Sequence, residues 1–207
     1  MLYTMTKAQA REKFQTEVDE ISTWVMQQMN KHLSEQSHNI MEQFAAYFES
    51  YCKAITQMQQ SGEKGAIKYI NFSWLRTNIL AKNYKLRVEA YDKDWYVDRV
   101  QCSGEYDAST IYVFLDEFEQ KIDAARKKYI DALSIADVKQ LLLVESMKYS
   151  MIVSTLMQVA VRSAVETPAF QKMLREEDFG IYIGEFQDVC TKIFGEINRD
   201  NEVEEVS

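Results

Sequence analysis

Apolar residues recur at alternating spacings of three and four in several separate segments of this chain. Met41, Phe44, Phe48, Tyr51, Ile55 and Met58 form one stripe, and Ile111, Leu115, Phe118, Ile122, Ala125 and Tyr129 form another. This spacing puts side chains on one face of an α-helix, where they must meet a partner helix. Long packed helices are therefore predicted for most of the chain. One proline and six glycines among 207 residues argue against the many tight turns of an all-β fold.

From Lys7 to Gln60 there is neither Gly nor Pro. Phe14, Val18, Ile21 and Val25 give a heptad-like stripe, and Met41 to Met58 gives a second. The two are out of phase, since Val25 and Met41 lie 16 residues apart, two heptads plus two. Residues 30–39 between them are polar and rich in types that favour caps and turns. A helical hairpin broken there and a single bent rod both fit. The phase slip favours the hairpin, because a continuous helix would turn one stripe to water.

The pattern changes after the loop Ser61–Gly65. Residues 68–74 place Ile70, Phe72 and Trp74 on one face, and residues 85–91 alternate with Leu86, Val88 and Ala90 on one side. Asp92–Asp94 reads as a turn and Trp95–Cys102 as another strand, rich in aromatic and β-branched residues. Segment 75–84 fits either an extension of the first strand or a short helical turn. Ser103–Asp107 reads as a loop. A helix is predicted from Ala108 to about Leu133. Ser134 with Asp137 resembles a capping box opening a long helix over 135–166. That helix is apolar on nearly every side, which predicts a central position with neighbours all round. Thr167-Pro168 restarts a short helix, and Phe179 to Asn198 keeps helical spacing. The expected fold is α+β and predominantly helical, with five to six helices and a small three-stranded antiparallel β-meander near residues 67–102. A single domain is expected over 1–198, with an acidic, disordered tail at 199–207.

Composition narrows the function. Hydrophobic residues make up 46% and charged ones 27%, enough to build a core without staples. The net charge of −8 disfavours nucleic acid and anionic membrane surfaces as partners. Cys52, Cys102 and Cys190 are odd in number and far apart, which points to a reducing cytoplasm rather than a disulfide framework. The N-terminus lacks an apolar core of signal-peptide length. The most apolar stretch, 141–165, leaves only 13 residues between Lys148 and Arg162, short of the roughly 20 that cross a bilayer.

No motif carries chemistry with specificity, but three constellations are candidates. Glu35-x-x-His38, with Glu42 one turn on, has the spacing of carboxylate–histidine metal ligands on a helix. The chain has only two histidines, however, both in this segment. Solvated surface or turn residues are the plainer reading, and no cofactor is expected. Glu145, Lys148 and Arg162 are polar groups in an apolar helix and are candidate ligand contacts. A narrow exposed stripe, or an internal salt bridge to an acidic neighbour helix, is the plainer reading. Trp74, Trp95 and Tyr96 belong to an aromatic-rich meander that could face a ligand or a partner, or simply fill the core. Cys102, before Ser-Gly, is a weak nucleophile candidate, and a small buried residue is its plainer role.

Three functions follow as expectations. The first is a non-enzymatic cytoplasmic interaction, assembly or scaffold protein that self-associates through helical surfaces or holds a protein partner. It predicts a broad exposed apolar patch. The second is a binding or sensing module for a small anionic or amphipathic ligand, held between helix 135–166 and the aromatic meander. The third is a metal-dependent helical-bundle enzyme.

Overall fold

The computed structural model describes residues 5–129 and 132–195. Among these residues the fold is α+β, with five α-helices and a five-stranded mixed sheet. The helices are α1 (Lys7–Gln60), α2 (Arg76–Leu80), α3 (Ser109–Arg126), α4 (Ile135–Ala164) and α5 (Pro168–Lys172). The strands are β1 (Ile67–Trp74), β2 (Lys85–Tyr91), β3 (Ser103–Asp107), β4 (Arg175–Glu185) and β5 (Cys190–Phe194). The chain divides into two compact units. The first comprises residues 1–40, 76–85 and 107–153, and the second 41–75, 86–106 and 154–207. The expected tail at 199–207 lies outside the described residues.

Helix α1 is unbroken, so the expected hairpin at 30–39 does not form. The reason lies in the period of its buried face. The inward positions are Ala10, Phe14, Val18, Ser22, Val25 and Met29, then half-buried Leu33 and Gln36, then Ile40, Phe44, Phe48, Tyr51 and Ile55. Every step is three or four. Val18, Met29, Ile40 and Tyr51 stand eleven apart, as do Ser22, Leu33, Phe44 and Ile55. An eleven-residue repeat averages 3.67 residues per turn, close to the 3.6 of a straight helix. Ile21 and Met41 give the apparent phase slip. Both are half-buried, and their neighbours Ser22 and Ile40 occupy the inner face.

The first unit is helical. Phe14 on α1 meets Tyr129 with ring centroids 6.0 Å apart, and Tyr84, Tyr112 and Tyr149 form a stacked row. Leu115, Phe118, Ile122 and Leu142 are almost wholly buried in this unit. The predicted capping box opens α4. Ser134 Oγ and its amide both donate to Asp137 Oδ2, at 2.6 and 2.7 Å, and the Asp137 amide donates back to Ser134 Oγ. Helix α4 is not surrounded on all sides, contrary to expectation. Val144, Met147 and Met151 are 60%, 63% and 70% exposed. Among the described residues no helix is long and apolar enough to cross a membrane.

The second unit carries the sheet, in the order β3-β2-β1-β4-β5. Central β1 pairs antiparallel with β2 and parallel with β4. The expected three-stranded meander is therefore only part of a mixed sheet. Residues 95–102 do not make a strand. They form a 3-10 turn at Trp95–Val97 and a loop, and the strand follows at Ser103–Asp107, which the sequence suggested was loop. The ambiguous segment 75–84 holds the short helix α2. The last predicted helix is instead the hairpin β4–β5. One face of the sheet packs on α1 and α5 through Phe rings: Phe72 meets Phe44 at 5.6 Å, and Phe170 meets Phe48 at 5.9 Å and Phe179 at 5.6 Å.

Candidate functional site

Alternation along β1 sends Ile70 and Phe72 toward α1, and Tyr69, Asn71 and Ser73 to the opposite face. Register builds that outer face row by row. Tyr91, Tyr69 and Gly180 lie side by side, then Glu89, Asn71, Tyr182 and Lys192, then Arg87, Ser73, Gly184 and Cys190. The centre of the face is polar yet closed: Asn71, Ser73 and Glu89 are 4%, 5% and 5% exposed. Glu89 accepts from Arg87 at 2.6 Å. Burial, and then the bond to Glu89, push the Tyr91 hydroxyl well above its ordinary range. Gly180 makes room for a ring, since a Cβ there would lie 2.7 Å from Tyr182 Cε2.

A turn covers this face. Trp95, at a left-handed φ of 53°, lays its ring 3.7 Å from that of Tyr69 and 5.9 Å from that of Tyr182. Tyr96 continues the cluster to Tyr91, at 5.3 Å. The turn is held by a buried ion pair. Lys64 bonds Asp98, with the two side chains 1% and 2% exposed, and also donates to the Val100 carbonyl at 2.7 Å. Asp98 accepts in addition the amides of Asp92 and Val100, both at 2.9 Å. Burial alone pushes the Asp98 carboxyl up, but Lys64 and these two amides outweigh it and hold it below the ordinary aspartate range. Local bonding explains why 95–102 is not a strand: the amides of Val97 and Asp98 go to the Asp94 and Trp95 carbonyls and that of Val100 to the Asp98 carboxylate, not to a neighbouring strand.

The sequence candidates separate. Trp95 and Tyr96 belong to this outer face, whereas Trp74 alternates onto the side of Ile70 and Phe72. Glu145 and Lys148 lie in the other unit and form a closed triangle with Ser22 of α1. Ser22 Oγ donates to Glu145 Oε1 at 2.6 Å, and Lys148 donates to Glu145 Oε2 and to Ser22 Oγ, both at 2.8 Å. The salt bridge weighed for them is the arrangement found, although the acid sits on Lys148's own helix. Arg162 is exposed in the second unit. Glu35, His38 and Glu42 are exposed along α1, and no group of three His, Cys, Asp or Glu side chains among the described residues could hold a metal ion. All three cysteines are free. Burial pushes Cys52 up to about 12 and also raises Cys102 and Cys190, so none has the low pKa of a reactive thiol.

Two shallow grooves flank α3 and α1 in the first unit. One of about 300 Å³ is lined by Glu119, Asp123, Ile135 and Lys139, and one of about 400 Å³ lies beside Trp24. Neither touches Lys148 or Arg162. Sequence reasoning missed Lys64, which stands in an ordinary-looking loop, and it missed Asn71 and Glu89. The signal for those two was present: a polar residue on the second face of a strand between apolar neighbours. Compared with known protein families, with curated proteins and with solved structures, the chain has no match.

Proposed function

We propose that this chain is a non-enzymatic interaction or assembly protein of the cytoplasm that associates with a second copy of itself through α4. The observation that carries the reading is the row Val144, Met147 and Met151, each at least 60% exposed. Large apolar side chains at spacings of three and four make a ridge that packs into the grooves of another helix. A two-fold axis across α4 pairs this ridge with itself, so one surface serves both partners. Lys148, at the edge of the row, keeps half of its side chain in water while bonded to Glu145, which leaves the centre of the contact apolar. The three free cysteines agree with a reducing compartment.

Native mass spectrometry and sedimentation across a concentration series test this. The expected species at high concentration is a dimer of the 24.2 kDa chain. A Met147→Glu/Met151→Glu variant should stay monomeric with an unchanged circular dichroism spectrum, because both positions are exposed. A wild-type chain that remains monomeric throughout, or a variant that dimerises equally well, would rule the reading out.

A further inference from the structure

The outer face of the sheet holds two buried polar atoms that have no hydrogen-bond partner among the described residues, Asn71 Oδ1 and Trp95 Nε1. Buried polar groups are nearly always bonded, and an orphan asks for an explanation. These two are complementary: one accepts and the other donates. Both lie in one aromatic cluster. Asn71 stands beside Tyr182 in register and two residues along β1 from Tyr69, and the Trp95 ring touches both tyrosines. Glu89 on this face is already paired with Arg87, and Lys192 lies over the Tyr182 ring. What the face leaves unmet is neutral hydrogen bonding between flat rings.

We infer that Asn71, Trp95, Tyr69 and Tyr182 form a binding site for a small, neutral, planar heteroaromatic molecule that carries a hydrogen-bond donor beside an acceptor. The donor bonds Asn71 Oδ1, the acceptor takes the Trp95 indole N–H, and the ring stacks among the tyrosines, as single bases stack on aromatic side chains. The Trp95–Val97 turn is the cover. Its strained residue is Trp95, and the adjoining Val97 is 76% exposed, so lifting the indole from Tyr69 opens the site. Lys64 and Asp98 anchor the turn behind it. This site is independent of α4 and of self-association.

The test uses the full chain, with adenine and nicotinamide as probes. Of the three tryptophans, only Trp95 should shift its indole N–H resonance on titration, reaching saturation with at least one probe; Trp95→Phe assigns the signal. Calorimetry should find binding weakened by about tenfold or more in Asn71→Leu, which removes the acceptor but keeps the bulk, and likewise in Trp95→Phe, which keeps a ring but loses the donor. The second variant decides the matter if the first fails to fold. The inference is overturned by a Trp95 signal that stays still up to the solubility limits of both probes. Unchanged affinity in the variants also overturns it, as does a long-lived water on the indole N–H that neither probe displaces.

Discussion

Lys64 is the residue on which the sheet's cover depends. A buried ammonium is tolerated only when paired, and Asp98 together with the Val100 carbonyl supplies the pairing. Removing one partner strands the other charge inside the protein. Lys64→Met should therefore lower unfolding free energy by about 3–5 kcal/mol in a denaturant titration. The pair also sets an acid limit. The Asp98 carboxyl titrates below its unfolded value, so its contribution is present at neutral pH and is lost as pH falls through the folded-state value. In Lys64→Met that compensation is gone and burial lifts the folded-state value, so the variant should lose less further stability on acidification than the wild type does. A loop lysine whose replacement by Met costs well under 1 kcal/mol would contradict the buried pairing.

Among the elements, α1 and the β4–β5 hairpin show where reading the sequence succeeds and where it stops. The rod was visible as an apolar face without Gly or Pro, but its continuity depended on two polar inward positions, Ser22 and Gln36, that no hydrophobic pattern includes. If α1 is one helix, a proline at exposed Ser34 must remove an interior hydrogen bond and collide with the preceding turn. Ser34→Pro should cost about 3 kcal/mol or more, whereas a hairpin turn there would accept it at little cost. The hairpin failed for a different reason. Residues 179–184 are buried or half-buried at every position because β4 is covered on both faces, and a continuous apolar run fits a helical period as well as a strand. Two glycines within six residues, costly inside a helix, were the evidence against it. The helix start at Ser134–Asp137 was legible because capping is local. The outer-face cluster was not, because its members come from four strands and the Trp95–Val97 turn, brought together by strand register and by the Lys64–Asp98 pair.

At the scale of the whole molecule, the proposed self-association through α4 would tie stability to concentration. A ligand or subunit that binds only the folded state raises apparent stability by mass action. The wild-type melting temperature should rise with protein concentration, and that of Met147→Glu/Met151→Glu should not. The site under Trp95 reports separately, because filling it stabilises the monomer at any protein concentration.

The parallel pairing of β1 with β4 has a consequence for synthesis. The centre of the sheet is made early, and the strand that covers one of its edges is made about a hundred residues later. At ribosomal rates of about 5–20 residues per second, that edge waits roughly 5–20 s for its neighbour. The waiting segment, Ile67–Trp74, is rich in Ile, Tyr, Phe and Trp, the composition that recruits foreign strands. A chain stopped after Met173 should therefore aggregate where the full chain stays dispersed, as light scattering after expression would show. For several seconds of every round of translation, the nascent protein carries an adhesive edge and depends on chaperones or on speed to keep it from the wrong neighbour.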